Sequence, residues 1–200
     1  MLTLSRSLAA LTLGAAITLG ALPAQAEFKR FEIDPDHFSV AARIMHAGYY
    51  TQTGLFTRGK GSFRYDAESG QLADVVVEID AKSFFTGHRQ RDDHVKGPDF
   101  LNSGEFPTIT FKMTGYEKTG DNNAKINGDL TIRGQTKPVS VDVILNKAAD
   151  YPFGHGKYTL GLNGATVFAR SDFGMTYALE GGLVADTVAL ELGFEANLAQ

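Results

Sequence analysis

Histidine offers the widest chemistry in this 200-residue chain, which has five histidines and no cysteine. A metal pair on one helix face needs a spacing of three or four. His88 and His94 are six apart in a charged stretch and fail that requirement. His37 and His46 are nine apart and flank an alternating segment, so a regular strand would put them on opposite faces. A metal site would have to be assembled from several elements, and no metal ligands are assigned. Asp92 and Asp93 are adjacent and diverge on a helix, which makes a poor acid–base pair; an ion pair with Arg89 or Lys96 suits one of them better. Asp172-Phe173-Gly174 matches the kinase metal-binding tripeptide in letters only, without the glycine-rich loop, strand lysine or catalytic loop that gives it meaning. Gly54, Gly59 and Gly61 lack a phosphate-loop or dinucleotide continuation. There is no thiol nucleophile, and no serine sits in a nucleophile elbow. No catalytic residue is therefore assigned. An enzymatic alternative, a metal-dependent or hydrolytic stress enzyme, would have to use His46, His94 and neighbouring carboxylates. The plainer role for both is hydrogen bonding at one end of the fold.

The elements that must position these side chains are mostly strands. From Asn127 to Val143, Leu130 and Ile132 alternate with Thr131 and Arg133, and Val139, Val141 and Val143 alternate with Ser140 and Asp142. Period-2 alternation marks half-buried strands, and the Gly134–Pro138 segment between the runs marks a hairpin loop. Phe38–His46 reads as a strand with Val40, Ala42 and Ile44 on one face. Gly48–Tyr65 reads as two strands turned near Arg58-Gly59-Lys60-Gly61. Further strands are expected over Leu72–Asp80, Thr108–Tyr116, Lys157–Phe168, Phe173–Leu179 and Thr187–Ala196, with a turn at Asp121-Asn122-Asn123. The count is roughly eight, at the spacing of an up-and-down β-protein. Gly87–Ser103 breaks the pattern: it is charged, does not alternate, and predicts a short helix over Arg89–Lys96, ended by Pro98. Phe100, Leu101 and Phe106 would tuck beneath this helix, which would lie over one barrel end as a lid. So many inward apolar faces must be buried together, in a sandwich or in a barrel able to hold an apolar ligand.

The first 26 residues have the three-part layout of a secretory signal. Arg6 is their only charge, Leu8–Leu22 is apolar apart from Thr and Gly, and Ala24-Gln25-Ala26 follows Pro23 as a small-x-small cleavage site. An apolar run of about 15 residues falls short of the ~20 needed to span a bilayer. The expected product runs from Glu27 to Gln200, exported to the periplasm with no stable membrane anchor. It carries 18 basic and 23 acidic residues, a net charge of −5, which disfavours nucleic acid as a partner. It suits one domain, filled by 14 Phe and 7 Tyr, with no disulfide to staple it.

Several blocks occur in the order found in the YceI-like family, which this chain resembles through nearly all of Glu27–Gln200. They are DPDHFSVAARIMHAG from Asp34, TGLF from Thr53, IDAKSFFTGHRQRDDHVKGPDFLNSGEFPTITF from Ile79, NGDLTIRGQTKPVSVDV from Asn127, RSDFGM from Arg170 and ADTVALELGFEA from Ala185. The resemblance implies an all-β fold, an eight-stranded antiparallel lipocalin-like β-barrel with a short helical insertion. It also implies a polyisoprenoid or similar long lipid in the lumen and a homodimer. A quinone tail would suit the same lumen, and the absence of a catalytic constellation in the residues leads to an expectation of no catalysis and no cofactor. Two departures stand out. Phe38 and Ser39 follow His37 where the family often has two small polar residues, and Ala42 stands where a bulky aromatic is common, which would widen the cavity. The residues expected to meet the lipid are Val40, Ala42, Ile44, His46, Phe56, Phe84, His94, Phe100, Phe106, Ile109, Phe111, Leu130, Ile132, Val167, Arg170, Phe173 and Leu190. His46, His94, Arg89, Arg91 and Arg170 are the candidates for a polar head at the mouth.

Overall fold

The computed structural model describes residues 27–200, so the expected signal segment lies outside the described residues. The strands are β1 (Lys29–His46), β2 (Tyr50–Phe56), β3 (Gly59–Asp66), β4 (Gln71–Asp80), β5 (Phe84–Phe85), β6 (Thr108–Lys118), β7 (Asn123–Ile132), β8 (Gln135–Asp150), β9 (Tyr158–Ala169) and β10 (Val184–Leu198). The single α-helix among the described residues, α1, spans Arg89–Lys96 as its composition predicts. All pairings are antiparallel, and β10 returns to β1 from Phe31↔Leu198 to His46↔Val184, which closes the barrel. No helix among the described residues is long and apolar enough to cross a membrane.

β2 and β3 are not a hairpin, contrary to the turn expected at Arg58–Gly61. Both run antiparallel to β1, with β2 beside Val40–His46 and β3 beside Lys29–Glu32. They act as one line broken at Thr57-Arg58, and with the two-residue β5 set aside the barrel has eight strands. The break has a local cause. Buried Ser83 accepts hydrogen bonds from the backbone N–H groups of Thr57 and Arg58, both at 3.2 Å, so neither donor is orphaned. Asp80 caps the 3₁₀ turn Ala81–Ser83 by accepting from the Lys82 N–H at 2.8 Å, and its other oxygen takes the Arg58 guanidinium at 2.7 Å. β4 therefore ends at Asp80, and beyond it the free edge of β2 is met only by β5, at Leu55↔Phe85 and Phe56↔Phe84. The insertion carrying α1 enters at this break.

Two further expectations are corrected. The β7–β8 turn is Arg133-Gly134, both with positive φ (51° and 70°), the conformation of a tight two-residue hairpin. Pro138 lies within β8 opposite Asp129, before β9 joins at Asp142, where β8 has a neighbour on one side only. Phe173–Leu179 is not a strand. A 3₁₀ turn over Arg170–Phe173 and further turns replace it, with Gly174 and Ala178 at positive φ.

The end away from α1 is tightly packed around Phe31, although a pocket of about 190 Å³ opens there between the β3–β4 and β6–β7 turns, lined by Tyr65, Leu72, Tyr116, Leu145 and Leu160. Phe31, Leu160 and Ala196 are at most 2% exposed, and Phe31 stacks on Phe63 with centroids 5.8 Å apart. The other end, under α1, holds the larger hollow.

Candidate ligand chamber

The hollow end encloses a cavity of about 390 Å³. The inward faces of β1, β2 and β10 supply Ala42, Ile44, Phe56, Val188 and Leu190 to its wall. A space of about 80 Å³ continues toward the far end, with Ile79 and Leu190 lining both it and the chamber, and Leu72, Val143 and Leu162 lining both it and the far-end pocket. Gly54 lets the wall form, because a Cβ there would lie 2.2 Å from the Phe84 ring, which rests against Phe56.

The roof has two pieces. The first is α1 with its flanks. His88 caps the helix by accepting from the Arg91 N–H at 3.3 Å, and Gly97 ends it. Buried Asp92 accepts from the Thr86 N–H at 2.8 Å and its hydroxyl at 2.5 Å, while Arg91 donates from Nε to that hydroxyl at 2.8 Å. Asp93, not Asp92, pairs with Arg89, 3.8 Å away on the exposed side. Beyond the helix, the Leu101 and Ser103 N–H groups donate to the carbonyls of Val95 and Lys96.

The second piece is the 170–185 segment, and Arg170 holds it. Arg170 is 1% exposed. Its Nε donates to Ala185 O at 2.8 Å, Nη1 to Met175 O at 2.5 Å, and Nη2 to Tyr177 O and Val184 O, each at 2.8 Å. Burial pushes its pKa down, opposed by the nearby Asp186 charge. Asp186 itself accepts from the Ser171 N–H and hydroxyl. The two pieces meet where the rings of His94, Phe100 and Tyr177 contact one another edge to face, centroids 5.0–5.5 Å apart. His94 Nε2 also lies 2.8 Å from Asp99.

Of the residues nominated from sequence, Ala42, Ile44, His46, Phe56, Phe84, His94, Phe100, Ile109, Ile132, Arg170 and Leu190 line the main chamber. Val40, Phe111 and Leu130 line the space beneath, as Leu190 also does. Three nominated residues line neither. Val167 is 62% exposed on the outer face, and its neighbour Phe168 points inward. Phe173 is buried against the Phe168 ring, 5.1 Å away. Phe106 packs beside Gly134 at the β7–β8 turn, while Phe100 and Leu101, expected under the roof with it, do line the chamber. Arg170 faces the chamber, but four of its five N–H groups serve the chain's own carbonyls. Met175, Tyr177 and Leu183 were not nominated: Phe173, Met175, Tyr177 and Leu179 alternate as a strand would, but turns with Gly174 and Ala178 at positive φ bring Met175 and Tyr177 to the chamber instead. Neither His46 nor His94 belongs to a group of three metal-ligating side chains; among the described residues one such group exists, Asp34, His37 and Glu195, which lines neither cavity.

Fold and chamber together define a single-chain antiparallel barrel built around an apolar, roofed interior. The chain belongs to the YceI-like family, whose domain model matches residues 31–196. It is 34% identical over 192 residues to a UPF0312 protein of Pseudomonas syringae pv. syringae, covering 96% of this chain and 97% of that one. Burkholderia cenocepacia BcnA has the same fold, with a TM-score of 0.73 at 23% identity over 82% of this chain and 99% of BcnA. So does a polyisoprenoid-binding domain from Saccharophagus degradans, with a TM-score of 0.65 at 10% identity over 86% and 100% of the two chains.

Proposed function

We propose that this barrel is an exported, non-catalytic binding protein that shelters the chain of a polyisoprenoid, quinone-tailed or similar lipid in its roofed chamber, in the periplasm. The observation that carries this reading is the 390 Å³ interior walled by Ala42, Ile44, Phe56, Phe84, Ile132 and Leu190. That volume is within the ~300–1,000 Å³ range of ligand sites. At the ~30 Å³ that a water-sized group occupies in a liquid, it holds on the order of a dozen methylene groups. Burying these would contribute roughly 10 kcal/mol gross at ~0.8 kcal/mol each, before the cost of ordering the chain. A longer lipid would thread into the space beneath or leave its end at the His94–Phe100–Tyr177 seam. The polyisoprenoid-binding neighbour of like fold supports this ligand class.

Native mass spectrometry of the protein purified from its own cells, followed by organic extraction, tests the proposal. A bound mass that moves into the organic phase is the expected result. Protein of bare-chain mass from every preparation, with no extractable lipid, would overturn it. The same spectra read the oligomeric state, for which the family resemblance suggests a dimer.

The roof would have to open for loading. Amide exchange over Arg89–Ser103 is expected to slow when lipid is bound, because the chain would pack against Val95, Phe100 and Leu101. Equal protection with and without lipid would identify α1 as a fixed cover.

A further inference from the structure

We propose that Asp34, His37 and Glu195 form a binding site for one divalent transition-metal ion on the barrel's closing seam, separate from the chamber. The seam is irregular at this point. Ile33 pairs with Ala196 and Phe38 with Phe194, so residues 34–37 of β1 bow out opposite the single residue Glu195 of β10. Bulges of this kind re-aim side chains, and this one brings three ligand atoms from two strands together. His37 Nδ1 is 3.0 Å from Asp34 Oδ2 and 3.7 Å from Glu195 Oε2, and all three atoms lie within 4.8 Å of one another. Metal–ligand bonds of ~2.0–2.2 Å in a tetrahedron place neighbouring ligand atoms roughly 3.3–3.6 Å apart. The observed spacings bracket that range.

Two features separate this group from a chance cluster of surface charges. Glu195 Oε2 is shielded from solvent and meets no donor in hydrogen-bond geometry, the one such side-chain atom among the described residues, although the Glu195 side chain as a whole is 31% exposed and the Tyr151 hydroxyl lies beside its carboxylate. A buried carboxylate oxygen without a donor is rare in folded proteins, and His37 at 3.7 Å is too far to serve it. A cation between the three groups would satisfy it. The ligands are also braced from outside. Asp34 Oδ1 accepts from the Asp36 N–H at 3.0 Å, which leaves Oδ2 facing His37. The Asn197 side chain lies beside the Asp34 carboxylate and helps to lower its pKa, and its own Oδ1 is held by the Thr159 hydroxyl at 2.8 Å. Outer contacts that fix ligand orientation are characteristic of metal sites. His37 is 52% exposed, which gives an ion an entry path and leaves room for water to complete its coordination. One imidazole nitrogen with two carboxylate oxygens and no thiolate suits Zn²⁺ or a neighbouring first-row ion. Such an ion would clasp β1 to β10 where the barrel closes.

Titration calorimetry of tag-free, metal-stripped protein with Zn²⁺ tests the site. One ion per chain is expected, with a melting temperature that rises with free Zn²⁺, because the folded seam binds and the unfolded chain does not. Glu195→Gln keeps the shape and removes the charge. It should weaken binding by at least about tenfold, and His37→Ala should abolish the stoichiometric event. Both positions face the outside of the barrel, so circular dichroism of the metal-free variants should match the parent. Zn²⁺ binding of equal affinity and stoichiometry in all three proteins would overturn the site, as would no saturable binding in the parent. If either variant fails to fold, Asp34→Asn gives the same reading.

Discussion

Replacing Arg170 by methionine is expected to lower the unfolding free energy by about 3–5 kcal/mol. The guanidinium occupies a site that is 1% exposed and donates to the carbonyls of Met175, Tyr177, Val184 and Ala185. Methionine matches its bulk but donates nothing. Each buried carbonyl left without a donor costs ~1–3 kcal/mol, and breaking a buried charged network typically costs ~3–5 kcal/mol in all because water and relaxation recover part of the loss. Lysine is a weak substitute. Its three donors radiate from one atom, whereas four carbonyls here are met by a planar fork. The measurement is the urea midpoint of parent, Arg170→Met and Arg170→Lys at constant m-value. Amide exchange should locate the damage in residues 175–185, where the second roof piece loses its anchor. An unchanged midpoint for Arg170→Met would show that the loop is held by its other contacts.

Arg170 also shows what the sequence conceals. Its position in RSDFGM and its cationic head nominate it for a ligand's polar group, and it does reach the chamber. Which carbonyls surround a guanidinium depends on the path of a loop, and the loop with Gly174 and Ala178 at positive φ is masked by the strand-like alternation of Phe173, Met175, Tyr177 and Leu179. The strands were legible because each half-buried face imposes period two, and α1 was legible because charge without alternation left no other regular option. The β2–β3 break was not, since the captor of its two N–H groups, Ser83, lies 25 residues beyond Arg58. Phase failed once, at Val167. The run Gly164-Ala165-Thr166 is too small and mixed to tell inside from outside, and the barrel turns Phe168, not Val167, inward. The Asp34–His37–Glu195 group was beyond reach for the reason that makes it a seam site. His37 and Glu195 meet only because the first and last strands pair, and the regular-strand geometry assumed for His37 fails at the bulge.

Ala42→Phe should empty the barrel of lipid while leaving it folded. Ala42 lies on the chamber side of β1, opposite Gly54 on β2 and Leu190 on β10. A ring in a fully packed core would cost ~1–3 kcal/mol through overpacking. Here it projects into a 390 Å³ space that already accepts the Phe84 ring over Gly54, so the ligand-free melting temperature is expected to hold or rise as the void fills. The room it occupies is the room in which an acyl or prenyl chain would lie, and lipid recovered per mole of protein should fall severalfold. Ile44→Asp, on the same wall, is the harsher comparison. It places an unpaired carboxylate in an apolar cavity, so it should lose both lipid and stability. The two variants separate occupancy from folding: Ala42→Phe loses ligand alone, Ile44→Asp loses both. A normal lipid load in Ala42→Phe would mean that the chain lies elsewhere in the barrel, and a sharply lowered melting temperature in the delipidated variant would mean that this wall is already full.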